Sequence, residues 1–595
     1  MSDRGASQFE IKAVRLPKAA RAPEGHYDVV IMGGGLAGVT LSLHLKRERP
    51  ETRVLLVDKR ERPAPEAAFK VGESTVEVGA YYFREKCGMK DHLNERHLRK
   101  AGLRYFWPAG DNSDISRRIE YVTPDQFFNH QIDRGRFENE CFERTAELGT
   151  DTFRGYRVRD VSLGADGADH QAVLENPEGA VTTVSARWVV DASGRANILR
   201  RKLGLEAETG HHINAAWFRL DGGLDVESLS DNQEWINRVA ERGFRKLATV
   251  HLVDQGYWVW MIPLASGVHS IGVCADPRFH PFERINEFDR LLEWLGEHEP
   301  PLAAAVSKRV DDVIDFLVIE DFSYSSTQIF STNRWSLVGE AGGFIDAYYS
   351  PGSDYIAYTN SFTKDLIVRD LAGEDIEEAV DFYNFFYFQL FEPTISLYKD
   401  KYRMFNNPQV MLAKTLYDNN AYFATLAFMF THDKMTDLDA LGDITDMFET
   451  LIPLLGRMQE LFSDWHEIYH QSWEGVSIAT TQFTPMIERQ RDLSRELSDE
   501  EFFAKARRNV EELKALALWL FHKAAESLPE PPDPEARINP LAVSLHPERW
   551  KEEGLFSEDG WTLAEATAML PGVEEFWLAA QGATPMTARE KRIPA

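Results

Sequence analysis

Apolar residues gather in short blocks that run directly into small residues. Val29 to Met32 enters Gly33-Gly34-Gly35-Leu36-Ala37-Gly38. Trp188 to Val190 enters Asp191-Ala192-Ser193-Gly194-Arg195, and Trp335 to Val338 enters Gly339-Glu340-Ala341-Gly342-Gly343. Unbroken apolar runs bounded by turn residues predict strands buried on both faces. Past each turn a helix is predicted: from Leu36, from Asn197, and from about Ser353 to Asp370. A fourth run, Val54 to Val57, ends at Asp58. Strand–turn–helix units this far apart predict one discontinuous α/β domain with another domain inserted.

Between these units the pattern is mixed. Phe69 to Tyr82 reads as a glycine-bearing loop running into a helix, and Phe137 to Leu148 as a helix. Leu103 to Trp107 and Ile119 to Val122 read as short strands. Gly155 to Val161, Ala172 to Asn176 and Thr182 to Ser185 read as a meander. Strand patterns dominate from Ala215 to Val273, including Trp258 to Leu264 and Ser270 to Val273. From Ile376 to His522 the chain reads as nearly all helical, and the aromatic stripe Phe382 to Phe388 as core packing. Leu528 to Pro534 reads as a stiff linker.

The first turn carries its own chemistry. Gly33 permits the tight turn, Gly35 lets backbone approach a pyrophosphate, and Gly38 lets helix pack on strand. Asp58, 20 residues after Gly38, is placed to accept hydrogen bonds from a ribose. Together these predict dinucleotide binding.

Composition narrows the partners. A chain of 595 residues predicts two or three domains, and 43% hydrophobic with 27% charged residues fits a soluble protein. The net charge of −29 argues against nucleic acid, anionic membranes and large polyanions. Cys87, Cys141 and Cys274 lack metal-like spacing; they read as buried, unreactive thiols and suit a reducing cytoplasm. No signal-peptide core, bilayer-length apolar run or internal repeat is visible. His466-Glu467-Ile468-Tyr469-His470 fits H-E-x-x-H, but no glycine-spaced third histidine follows, and no metal is expected.

The three strand ends resemble, in type and order, the FAD-contacting motifs of flavin monooxygenase-like proteins. Within that superfamily, Trp258-Val259-Trp260-Met261-Ile262-Pro263 matches the W-x-W-x-I-P motif of the flavin-dependent halogenases. Gly72-Glu73-Ser74-Thr75 resembles their G-E-S-T or G-E-A-T loop, and Lys100 sits where the family carries its catalytic lysine. The resemblance spans about residues 27 to 370. It implies a discontinuous FAD-binding Rossmann-like domain with an inserted β-rich substrate domain and a helical C-terminal region. The boundaries expected are a leader over 1–25, the FAD domain over 26–210 with substrate-side segments near 100–135, the insert over 211–330, the last part of the FAD domain over 331–375, and the helical region over 376–595.

The resemblance also implies roles. Lys100 would direct hypohalous acid, made with reduced FAD, oxygen and chloride or bromide, onto an electron-rich phenol, pyrrole or indole. The G-E-S-T form leans away from the free-tryptophan branch. Cofactor contacts are implied for Gly33, Gly35, Leu36, Ala37, Gly38, Asp58, Lys59, Glu73, Ser74, Arg136, Asp191, Gly194 and Glu340, with Arg195 as a further candidate. Ser350, Pro351, Gly352 and Ser353 would line the flavin ring. Trp258, Trp260, Ile262 and Pro263 would fill the space where a monooxygenase holds substrate. Glu340 departs from the family's Gly-Asp by one methylene, which alters local flavin geometry. Lys70 is the rival to Lys100, and a carboxylate near the lysine is expected without being assigned. No second dinucleotide turn is visible, which favours a separate flavin reductase. The helical third is expected to close over the Lys100 pocket. Two alternatives stand: an FAD monooxygenase or dehydrogenase of the same fold, and a non-catalytic flavoprotein docking a partner such as a carrier protein.

Overall fold

The computed structural model describes residues 22–66, 70–124, 128–165, 167–239, 243–469, 475–479 and 483–581. The leader expected over 1–25 lies, up to residue 21, outside the described residues.

The first sheet is built on His26–Met32, whose Val29 to Met32 are fully buried. On one side it pairs in parallel with Val54–Asp58, which pairs with Asp151–Arg154; on the other it pairs in parallel with Val181–Asp191, which pairs with Trp335–Leu337. The register brings Met32 beside both Val57 and Asp191, and Asp191 beside Leu337. The three turns therefore start level, side by side, at the carboxyl ends of parallel strands, where open α/β sheets bind ligands.

One expectation is corrected here. Thr182–Ser185 and Trp188–Asp191 are not two strands but one, Val181–Asp191. Its first half pairs antiparallel with His170–Glu175 and its second half parallel with His26–Met32. Because its neighbours change midway, its burial pattern changes too, from alternating to continuous.

The second sheet runs in the order Val313–Ile319, Asn214–Leu220, His269–Ala275, Tyr257–Pro263, Thr249–Asp254, Leu103–Trp107, Ile119–Val122, Ser477–Ala479. It thus draws strands from outside the 211–330 stretch, including one from within the helical C-terminal region. Side chains alternate in Tyr257–Pro263, as strand geometry requires. Tyr257, Val259 and Met261 join a core with Trp294 and Leu295 of helix Phe288–His298. Trp258, Trp260 and Ile262 join the main core, shared with the first sheet and the C-terminal helices. Gly272 makes room for this: a Cβ there would lie 2.3 Å from the Trp260 ring.

Helix Gly352–Ala372 links the first sheet to helices Glu377–Ser396, Pro408–Ala424, Leu426–Thr431, Leu441–Ile468 and Asp499–Ala525. The aromatic stripe packs as expected: Tyr383 stacks on Phe362, and Phe386 meets Phe448 edge-on, while Phe385 is exposed. No helix among the described residues is long and apolar enough to cross a membrane.

Candidate active site

The nucleotide cradle starts at Gly33. Its φ is +124°, and a Cβ there would lie 2.3 Å from the Ala192 carbonyl oxygen. The following helix, Leu36–Glu48, has Gly35 at its N-cap and no capping side chain, so its first N–H groups are open donors. The position of a Cβ on Gly35 meets nothing within 4 Å except the Lys70 ammonium, 3.2 Å away. Open N–H groups facing a cation describe a seat for a diphosphate. Lys70, the rival to Lys100, therefore belongs to this seat. Burial depresses its pKa, against the attraction of Glu138.

Glu138 gathers the cations of the cradle. Its carboxylate is bonded by Lys70 at 2.9 Å and Arg134 at 2.7 Å, with Arg60 at 3.5 Å. Burial opposes its ionisation, yet these three cations hold its carboxyl down to about 2. Arg60 also bonds Asp58 at 2.7 Å and the Gly34 carbonyl at 2.9 Å. Arg134 donates to the Gly72 carbonyl at 3.4 Å. Lys59 is exposed, while Arg136 pairs with Glu66 and the Arg96 carbonyl. Arg60 and Arg134, which the sequence reading did not name, thus bond residues of the cradle and of the Gly72 loop directly.

Two implied contacts work on the chain itself. The buried Asp191 carboxylate accepts N–H bonds from Ser193 and Leu199, fixing the turn at Gly194. Glu73 is held by Arg219 at 2.9 Å, which pins the Gly72–Thr75 loop to strand Asn214–Leu220. At the third turn Gly339 takes φ +57°, and Glu340 offers its carbonyl to the Tyr324 hydroxyl at 2.6 Å. Arg195 is exposed and lies over the Tyr324 ring.

Lys100 is 1% exposed. Its backbone N–H bonds the Asn129 carbonyl, fixing it beyond the short pair Leu98–Arg99 and His130–Gln131. Its ammonium donates to Ser74 Oγ and to the Thr75 carbonyl, both at 2.8 Å. Ser74 in turn meets Thr249 Oγ1 at 2.8 Å and accepts from Ser350 Oγ at 3.2 Å. Ser350 lies in the left-handed region at φ +60°, a conformation costly for a residue with a side chain. It ends the loop before Pro351, the N-cap of helix Gly352–Ala372. A bonded line therefore runs from that helix start to the lysine.

Lys100 lines a cavity of about 120 Å³. The near wall carries Val76, Glu77, Asn129, Pro351 and Asp354. The far wall comes from the C-terminal helices: Leu390 and Leu397, Asp418 and Tyr422, and Leu451 and Leu455. The helical third closes over Lys100, as the sequence reading expected. Burial raises the pKa of Glu77, and burial lifts Asp354 to about 7. Sequence reasoning named neither carboxylate. Asp418 accepts the Tyr349 hydroxyl at 2.9 Å and pairs with buried Lys414, itself bonded to Gln459.

Trp258, Trp260, Ile262 and Pro263 do not line this cavity. An aromatic layer stands between them and it. Trp258 packs on Tyr348 at 5.5 Å, and it is the next residue, Tyr349, that reaches the cavity. The Trp258 indole donates to Tyr402 at 2.9 Å, and Tyr402 donates to Asp346. Trp260 donates to Ser270.

Among the described residues no cluster of His, Cys, Asp or Glu could hold a metal ion; His466 is buried, and His470 lies outside the described residues. All three cysteines are buried, and burial pushes their thiols up.

Comparison with known proteins now bears on this site. Residues 26–270 match the family described as FAD binding domain. The flavin-dependent halogenase chlA of Dictyostelium discoideum is 27% identical over 437 residues, covering 67% of this chain and 70% of that protein. The 1H-pyrrole-2-carbonyl-(peptidyl-carrier protein) chlorinase of Pseudomonas fluorescens is 26% identical over 377 residues, covering 59% and 78%. A solved structure, halogenase PltM in complex with phloroglucinol and FAD, shares the fold. Its TM-score is 0.57 at 16% identity, over 84% of this chain and 97% of that one. The cradle fits FAD on its own geometry, through the open N–H groups and Lys70. With its FAD-binding region matched and the curated relatives above named as halogenases, the chain is an FAD-dependent oxidoreductase similar to the flavin-dependent halogenases.

Proposed function

We propose that this protein halogenates an electron-rich aromatic ring of the phenol, pyrrole or indole type, drawing reduced FAD from a separate reductase and taking chloride or bromide as the halogen source. Bound reduced FAD would supply the two electrons that activate dioxygen, the oxidant that turns halide into hypohalous acid. One observation carries the reading: Lys100 is buried, bonded through Ser74 to Ser350, and opens on a cavity closed by the C-terminal helices.

The residues divide the work as follows. Gly35, Lys70 and the first turn of helix Leu36–Glu48 hold the diphosphate, with Asp58 and Arg60 at the ribose end. Ser350 and Pro351 border the flavin ring at the start of helix Gly352–Ala372. Ser74 and the Thr75 carbonyl fix the Lys100 ammonium, whose N–H groups then orient the oxygen of hypohalous acid. Walls such as Leu390, Leu397, Leu451 and Leu455 exclude water, which would otherwise disperse the reagent.

The test is incubation with FAD, a flavin reductase, NADH, bromide and a panel of phenols, read by mass spectrometry. A bromine mass shift is expected. An oxygen shift in its place would assign a monooxygenase.

A further inference from the structure

Three carboxylates, Glu77, Asp354 and Asp418, face the Lys100 cavity, and they are held differently. Asp418 is paired with Lys414 and also bonded by Tyr349 and Gln459, so both of its oxygens are already engaged. Glu77 Oε1 accepts two amide donors, Asn129 at 3.0 Å and Gln490 at 3.1 Å. Burial raises its pKa, while these donors and the Lys100 charge pull it down, and Glu77 stands as counter-charge to Lys100.

Asp354 differs. It sits in the first turn of helix Gly352–Ala372 and is buried. Oδ1 accepts the Gly79 N–H at 2.8 Å, and Oδ2 accepts the Tyr422 hydroxyl at 2.7 Å. Tyr422 itself accepts the Val78 N–H at 3.1 Å. The carboxylate is thus fixed against two neighbouring elements while it faces the same cavity as Lys100. Burial, with the charge of Glu77 adding to it, lifts its carboxyl to about 7 despite these bonds. A base poised there gains and loses a proton under working conditions.

We propose that Asp354 is the base that takes the proton from the ring carbon as the halogen is installed. This rests on the halogenase reading. The ring's electron pair forms the carbon–halogen bond as the oxygen–halogen bond of hypohalous acid breaks. The Lys100 ammonium protonates the departing hydroxide, giving water. The ring C–H pair then restores aromaticity, and its proton passes to Asp354. Transfer of that proton to the Lys100 amine resets both groups, so arene and hypohalous acid become haloarene and water.

The test compares a phenol with its ring-deuterated form in wild type and Asp354→Asn, with FAD affinity measured alongside. Wild type should show an isotope effect near unity, because the base makes C–H loss fast. Asp354→Asn should bind FAD normally, lose about 10²-fold in kcat, and show a primary isotope effect. Wild-type turnover in the variant, or a loss with the isotope effect still near unity, overturns the proposal. If wild type yields no halogenated product at all, the halogenase reading fails and this one with it.

Tyr422→Phe decides the matter should Asp354→Asn not fold. The titratable groups facing Asp354 are Glu77, Lys100, Tyr422, Tyr355, Tyr358 and Tyr398, and burial holds all four tyrosines protonated. Removing the Tyr422 hydroxyl withdraws a donor from the charged carboxylate and raises its pKa. The acid limb of kcat should move to higher pH, and an unmoved limb overturns the proposal.

Discussion

Ser350 Oγ lies 3.2 Å from Ser74 Oγ, although 276 residues separate the two in sequence. Ser74 is also the acceptor for the Lys100 ammonium. This contact joins the loop at the start of helix Gly352–Ala372 to the lysine, and it gives the first prediction. Ser74→Ala should keep FAD binding and flavin oxidation but lower the halogenated product formed per oxygen consumed. The lost bond is worth about 1 kcal/mol, a several-fold effect. The check is the ratio of product to oxygen uptake; an unchanged ratio would show that Ser74 does not position the lysine.

The strained conformation of Ser350 can be tested separately. Ser350→Gly fits φ +60° without a side-chain penalty, so unfolding stability should hold or rise. Ser350→Val should lower it by about 1 kcal/mol or more. Denaturant titration of both variants distinguishes them, and equal stabilities would contradict the strain.

FAD binding rests on Gly35 and Lys70. Gly35→Val places a side chain in the space between the turn and the Lys70 ammonium, and should abolish binding. Lys70→Ala removes a cation and should weaken binding about tenfold. Flavin fluorescence titration reads both, and retained flavin in folded Gly35→Val would refute the diphosphate seat.

Asp354 also carries a stability signature. Its folded pKa of about 7 lies above the ordinary carboxylate value of 3.8. A carboxyl raised in this way contributes stability that is fully present below 3.8 and lost as pH rises through about 7. Asp354→Asn should therefore be more stable relative to wild type at about pH 8, above the window, than at about pH 4, near its lower end. Melting temperatures at the two pH values give the sign, and a reversed order would mean that the carboxylate is stabilised when ionised.

Much of the fold was legible in the sequence because its signals are local. Three apolar runs ending in glycine turns need only their own residues to be read, and each is now a strand end at one edge of the sheet. What was not legible has geometric causes. Lys59 and Arg60 are neighbours just past a strand end, so they point to opposite sides, and only Arg60 reaches Asp58. Arg134 and Arg136 lie about 200° apart around a helix, so only the first faces the Gly72 loop. Glu77 and Asp354 were missed because no spacing relates them: they meet only when helix Gly352–Ala372 packs against Glu77–Tyr81. Asp354 did carry one weak signal, an acid in a helix first turn, which ordinarily reads as a dipole partner.

The central claim is that Lys100 governs halogen transfer and not flavin chemistry. The measurement is parallel oxygen uptake, trapping of free hypohalous acid by a soluble scavenger, and product analysis for Lys100→Ala. The expected result is oxygen uptake at the wild-type rate and trapped hypohalous acid, with directed product reduced by about 10²-fold or more. Halogenation of the substrate at the wild-type rate and position by Lys100→Ala would contradict it.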